Sequence, residues 1–349
     1  MNKIIKVILT NILVVTCFLG MVELFLYVTL SYPEIHKILP SVVNKITRRV
    51  YFHCDMNTVT YMPECAKFDS SLGYTLRPGK CVFSCREFTT PYLINSLGVR
   101  DTEEALNSPQ IVVVGDSYAM GWGVQQNETF AKIIEAKTGM SVLNAGVASY
   151  GTAREMILLQ KVKRDRLKYL IIQYCDNDYE ENLSFLNSGN KLITMKEDTY
   201  ERLVRSQGAK KDYYLGKFIL CAAYVIKTNF NYLFKVGDYK TFQANRYNLQ
   251  KDEVEVFINV LLNSGMDLTN VQLLVFKANS FDPGESNFVI SLKKKIASGQ
   301  YPPFIKNMII MDAGRYLNEN TDIFYLNLHY NQRGNQVIAE MIMEHLATK

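Results

Sequence analysis

The sequence predicts an α/β fold: a three-layer sandwich with a central parallel sheet, preceded by an N-terminal transmembrane helix. Three observations predict it. From residue 110 onward, short apolar runs alternate with amphipathic helical stretches, the rhythm of chains that build parallel sheets. The runs themselves are apolar throughout rather than alternating, as expected of strands covered on both faces. Ahead of them, Val7 to Val22 carries no charge and the apolar run resumes after Glu23 through Tyr32. That is enough to cross a bilayer, which needs roughly 20 residues.

Taken in order, residues 1–32 read as a retained anchor. The run is too long for a removed signal peptide and lacks a small-residue cleavage site. Cys17 follows Val14-Val15-Thr16, a loose match to a lipidation site, but the apolar run continues past it. Glu23 is the awkward residue, because a carboxylate in lipid costs about 2.5 kcal/mol or more. An interfacial place, a neutral form or a partner helix would accommodate it. Lys3 and Lys6 precede the span and Lys37, Lys45, Arg48 and Arg49 follow it, so the charge rule leaves the orientation open.

Residues 33–109 read as a membrane-proximal region, with a helical linker over 33–50, turns at Ser71-Leu72-Gly73-Tyr74 and Arg77-Pro78-Gly79, and strand character at Leu93-Ile94. Cys54, Cys65, Cys81 and Cys85 cluster here, while Cys175 and Cys221 stand apart. Four cysteines in a short loop-rich segment suggest two disulfides and an oxidising compartment, with Cys54–Cys65 and Cys81–Cys85 the most local pairing. A zinc site is the alternative, but the spacing lacks the usual Cys-x-x-Cys pattern. The expected catalytic domain is therefore extracytoplasmic.

Residues 110–349 carry the sandwich. Strands are expected at Ile111–Val114, Ser141–Asn144, Tyr169–Tyr174, Val271–Phe276 and Met308–Met311. Helices are expected at Thr129–Lys137, Thr152–Lys163, near Glu253–Asn263 and Asn287–Ala297, and from about Gly334 to Leu346. Tyr213 to Phe234 breaks the rhythm: it is apolar and aromatic, with only Lys217 and Lys227 charged. It reads as an amphipathic insertion that covers the active-site side or rests on the bilayer. The net charge of +5 is scattered among nearly as many acids, which argues against a nucleic-acid partner.

Four segments carry candidate chemistry. Ile111 to Val124 (IVVVGDSYAMGWGV) runs a buried strand into Gly115-Asp116-Ser117, placing Ser117 where open α/β sheets bind ligands. A serine hydroxyl becomes a nucleophile only when a base accepts its proton. Val142 to Thr152 (VLNAGVASYGT) repeats strand, glycine turn and helix, and the Gly146 N–H is a candidate oxyanion donor beside that of Ser117. Tyr169 to Asn182 ends a strand before Cys175-Asp176-Asn177-Asp178, and the Asn177 amide is a third candidate donor. Leu326 to Ile342 (LNLHYNQRGNQVIAEMI) holds His329 just before the last helix. His36 and His53 lie beside the anchor and His345 near the C-terminus, so only His329 is well placed as the base. Each segment alone also fits a plain turn, with Asp116, Ser117 or Asn177 as capping residues.

Together, in this order, the four segments resemble the SGNH (GDSL-like) hydrolase superfamily over about residues 94–345. The longer texts GDSYAMGWGV, LNAGVASYGT and HYNQRGN look like membrane-anchored bacterial members. The resemblance implies the flavodoxin-like SGNH fold, with Ser117 as nucleophile, His329 as base, and Ser117, Gly146 and Asn177 as the oxyanion hole. It implies no metal and no organic cofactor. Two departures stand out. Cys175 occupies a position that is usually glycine, and the triad acid is missing: Asn327 lies two residues before His329 and Leu326 three before it. In a complete triad an Asp fixes the imidazole tautomer and stabilises the imidazolium. A Ser117–His329 dyad, oriented by a backbone carbonyl, or another carboxylate would have to suffice. On the dyad reading, Asn327→Asp should raise turnover.

The resemblance implies a serine ester hydrolase, a carbohydrate O-deacetylase acting on an acylated cell-surface glycan or lipid-linked sugar. An O-acyltransferase on polysaccharide uses the same acyl-enzyme. A catalytically impaired glycan-binding protein is the third possibility, favoured by Asn327 and Cys175.

Overall fold

The computed structural model describes residues 3–210, 212–233, 252–278, 286–318 and 321–346. It opens with α1 (Lys3–Ser31), a helix of 29 residues. The apolar window of α1 has a mean hydropathy of 2.2 and no buried residue, so the helix is long and apolar enough to cross a membrane. A 3-10 turn (Pro33–Lys37) and α2 (Ser41–Cys54) follow, in the place expected for a helical linker.

Two antiparallel hairpins come next. β1 (Ala66–Asp69) pairs with β2 (Gly73–Leu76), and β3 (Gly79–Cys85) with β4 (Phe88–Ile94). Their buried Tyr74, Leu76, Phe83 and Tyr92 join the same apolar cluster as Val112 and Val114. Residues 33–109 thus share a core with the sandwich.

The central sheet is β5 (Ile111–Val114), β6 (Val142–Asn144), β7 (Tyr169–Tyr174), β8 (Gln272–Lys277) and β9 (Ile309–Met311). It has the order β6-β5-β7-β8-β9 and is parallel throughout. Alternate residues divide between two layers, as the pleat requires. Val112, Val114, Leu170, Ile172, Leu273 and Val275 face one cluster, with Met156 and Phe257. Ile111, Val113, Ile171, Leu274 and Phe276 face the other, with Phe130 and Ile338.

The helices that supply the two layers are α4 (Phe130–Thr138), α5 (Thr152–Leu159), α9 (Glu253–Leu262), α10 (Asn287–Ser298) and α12 (Gln332–Met343). Shorter or peripheral helices are α3 (Ser117–Met120), α6 (Asp178–Asn187), α7 (Glu197–Ala209), α8 (Lys217–Leu233) and α11 (Pro303–Lys306). α5 stops four residues before the expected Lys163, at a carbonyl that accepts from Arg164 Nη1 at 2.7 Å.

The aromatic insertion becomes α8 and does not form a second long apolar span among the described residues; Phe234 lies outside them. Phe218, Cys221 and Val225 of α8 pack with Leu26 and Leu30 of α1 and with Val50 and Tyr51 of α2. Glu23 finds its partner here. Its carboxylate accepts from the Phe218 N–H at 3.3 Å, the Ile219 N–H at 2.9 Å and the Tyr213 hydroxyl at 3.2 Å. An acid in an apolar helix is thereby matched to the unsatisfied N–H groups at the start of another.

The disulfides differ from the local pairing. Cys54 bonds Cys221 and Cys65 bonds Cys81, while Cys85 remains free. Cys81 and Cys85 lie four residues apart on the same extended strand, roughly 13 Å at strand rise, beyond the ~7 Å reach of a disulfide. Cys65 instead meets Cys81 because the chain after β2 turns back past it, with the Arg77 N–H donating to the Cys65 carbonyl at 2.8 Å. Cys54 ends α2, whose packing against α8 brings it to Cys221.

Candidate active site

In this strand order the chain changes direction around β5, and the loops after β5 and β7 open a crevice at their carboxyl ends. Open α/β sheets place their ligands there. β5 runs into Gly115, which has a φ of 155° and where a Cβ would collide with Gln173 and Ala119. Asp116 then caps α3 by accepting from the Tyr118 N–H at 3.0 Å. Gln173, from β7, accepts from the N–H groups of Asp116 and Ala119, both at 3.0 Å. These contacts fix the turn that presents Ser117. Arg100, almost wholly buried, braces its far side by donating to the Met120, Gly121 and Val124 carbonyls.

Across the crevice, Ser117 Oγ lies 2.8 Å from His329 Nε2. His329 Nδ1 lies 2.9 Å from the Asn327 carbonyl oxygen. A carbonyl can only accept, so Nδ1 carries the proton and Nε2 is free to take one from Ser117. The imidazole is layered against the Trp122 indole, with ring centroids 4.9 Å apart and planes at 14°, and touches the Tyr118 ring at 4.7 Å. Burial in this aromatic slot pushes the His329 pKa down to about 4. Asp116, buried beside Ser117, is pushed the other way, to about 6, by the same desolvation.

The Asn327 side chain turns away from His329. Its Oδ1 accepts from Tyr51 OH at 3.1 Å and Trp122 Nε1 at 3.3 Å. Its Nδ2 donates to Glu87 Oε2 at 2.7 Å. The position predicted for a triad acid therefore meets His329 through its backbone carbonyl alone, the orienting contact that a dyad needs.

The three oxyanion candidates fare differently. Ser117 opens α3 at the crevice. Asn177 is exposed and lies beside Asp116, one of whose stabilising contacts it supplies. Gly146 is buried, and its N–H donates to Asn144 Oδ1 at 3.0 Å. Its lack of a Cβ serves packing: a side chain there would collide with Met120 N and Ala119. The residue of that loop that does reach the surface is Ser149, held at a left-handed φ of 62°. Sequence reading passed over it because Ser149 has no feature that marks a left-handed turn, whereas Gly146 does. Cys175 is buried in the apolar layer on the α4 side.

Two further residues were missed. Glu87 and Tyr51 come from the membrane-proximal region, more than 200 positions from Asn327, and no local motif announces them. His36, by contrast, is taken up by Asn44, 2.9 Å away, as its place beside the anchor suggested. Among the described residues no His, Cys, Asp and Glu side chains gather as a metal site. In comparisons with known proteins, no family model matches the chain, and no curated protein matches its sequence.

Proposed function

We propose that the chain is an SGNH-type serine ester hydrolase, anchored by α1, that removes an acyl group from an acylated cell-surface glycan or lipid-linked sugar outside the cytoplasm. One observation carries the reading: the Ser117 Oγ–His329 Nε2 contact at 2.8 Å, with the ring held in the right tautomer by the Asn327 carbonyl. Ser117 Oγ attacks the ester carbonyl while His329 Nε2 takes its proton. The oxyanion forms near the N–H groups at the start of α3 and the Asn177 amide. His329 then gives the proton to the leaving sugar oxygen as the C–O bond breaks, leaving acyl-Ser117. Water repeats the sequence on the acyl-enzyme, releasing the acid and restoring Ser117.

The compartment rests on separate support. Cys54–Cys221 and Cys65–Cys81 are bonds of an oxidising compartment. The site stands close to the anchor: Leu326, one residue before Asn327, packs in the same cluster as Leu26 and Leu30 of α1. Tyr213, Tyr214, Leu215, Leu220 and Tyr224 are exposed on and just before α8, with Leu215 87% accessible. Such a row beside a membrane helix fits contact with the bilayer, and a substrate delivered at the membrane surface.

The test is labelling of the full-length protein by a fluorophosphonate probe. Native protein should react at Ser117 and Ser117→Ala should not. No labelling of the native chain, or equal labelling of both, would sink the reading.

A further inference from the structure

We infer that Glu87 is the positioning carboxylate of this site: it holds the His329 loop from outside the sandwich, so that the Asn327 carbonyl receives the His329 Nδ1–H. The inference rests on the Ser117–His329 reading but concerns a residue that reading does not contain.

Glu87 sits at the tip of the β3–β4 hairpin, in the two-residue turn between Cys85 and Phe88. Its Oε2 accepts three N–H groups from the loop before His329: Leu326 N at 3.0 Å, Asn327 N at 2.9 Å and Asn327 Nδ2 at 2.7 Å. Charge-assisted bonds of this kind are about twice as strong as neutral ones. They converge on the residue whose carbonyl meets the imidazole. The next residue needs such a hold. Leu328 has a φ of 57°, a left-handed conformation that residues with a Cβ disfavour. Its carbonyl accepts from Tyr118 OH at 3.0 Å, which closes the loop over the nucleophile turn.

The tip is itself fastened. Arg86 donates to both oxygens of Asp55, at 2.6 and 3.2 Å, at the end of α2. Phe88 packs on Phe324 with centroids 5.4 Å apart. Tyr51 of α2 reaches the same Asn327 side chain. The imidazole is thus placed by a carboxylate that never touches it. The triad acid is replaced by a carboxylate one residue removed, acting on the backbone instead of on the ring.

The only tryptophan of the chain, Trp122, stacks on His329. A protonated imidazole quenches an adjacent indole, so Trp122 emission against pH reports the His329 charge state without any substrate. The experiment compares the native full-length chain with Glu87→Gln, and with Glu87→Asp, which keeps the charge on a shorter arm. His329→Gln identifies the transition.

Burial pushes the native His329 value down toward about 4 and pushes the Glu87 carboxyl above its usual range, so the native transition lies at or below the pH at which that carboxyl takes up its proton. In Glu87→Gln the loop is already loosened, water reaches the ring, and the midpoint should move up toward the ordinary value of ~6.5, because relief of burial outweighs the lost Asn327 contact. Fluorophosphonate labelling of Ser117 should slow by about tenfold to a hundredfold, the scale of an ångström-level misplacement. Glu87→Asp should recover part of both. An unchanged Trp122 midpoint in Glu87→Gln overturns the inference even when stability falls, because the ring would then keep both its burial and its Asn327 contact without the carboxylate. Should Glu87→Gln not fold, Glu87→Asp decides by the same midpoint. If native protein is not labelled at Ser117, the hydrolase reading fails, while the fluorescence comparison still decides the role of Glu87.

Discussion

At the scale of single residues, Asn327 is the informative one. A missing acid suggested that Asn327→Asp would improve the site. The structure reverses that expectation. An Asp side chain would point at Glu87 Oε2, which the present amide approaches at 2.7 Å, and would face a like charge where a donor is required. We expect Asn327→Asp to lower the melting temperature, by about 1–3 kcal/mol in stability, and to lower ester turnover. A rise in kcat on a simple acetyl ester would contradict this. His329 supplies a second residue-scale prediction. With a folded pKa of about 4, its neutral, base-competent form persists well below the ordinary histidine range. The acid limb of kcat/KM should therefore fall near pH 4 and not near 6.5. A weaker inflection near 6 should belong to Asp116 and vanish in Asp116→Asn. The linked stability has a definite sign. Between about 4 and 6.5 the unfolded chain binds a proton that the folded slot excludes, so His329 favours the folded state fully above 6.5 and loses that contribution as pH falls through 4. Melting temperatures at pH 5 and 7, native against His329→Gln, measure it.

At the scale of elements, the pairing of α1 with α8 explains a residue that composition made anomalous. Glu23 lies in an otherwise apolar run, yet it accepts from two backbone N–H groups at the start of α8 and from Tyr213. It works as an N-terminal cap delivered from another helix. Glu23→Ala should cost about 1 kcal/mol, the usual scale of a lost cap. Amide hydrogen exchange is the direct check: protection at Phe218 and Ile219 should drop, while Ile172 and Val275 in the sheet keep theirs. Unchanged protection at both amides would mean that the first turn of α8 is held by other contacts. The Cys54–Cys221 bond ties the same end of α8 to the end of α2, which joins α1, α2 and α8 into one cluster with Leu326 of the His329 loop.

At the scale of the whole molecule, the His329 loop rests on α1, α2 and α8 through Leu326 and Tyr51. If the row from Tyr213 to Tyr224 lies on the bilayer, an indole placed there should meet lipid. In Leu215→Trp on a Trp122→Phe background, reconstituted into bilayers, brominated phospholipids should quench the new emission. In Val82→Trp on the same background, at an exposed site on β3, they should not. Equal quenching, or none, would remove the bilayer contact from the account.

Much of this molecule was legible in the sequence by itself. The parallel strands were, because a strand buried on both faces must be apolar throughout, and Ile111–Val114 and Tyr169–Tyr174 are. So was the long apolar N-terminal helix, because bilayer thickness sets a length that α1 meets. Ser117 and His329 were singled out by local context: a serine at a strand end, and one histidine suitably placed before the last helix. What only the tertiary structure decided are the relations between distant segments. Glu87 and Asn327, Glu23 and α8, Cys54 and Cys221 each join positions that no periodicity links, since hydrogen-bond geometry and disulfide reach act through space and leave no spacing in the chain. The pairing of the cysteines and the way the imidazole is held, by a carbonyl whose residue is gripped by a remote carboxylate, were set when the hairpins, α2 and α8 closed on the sandwich.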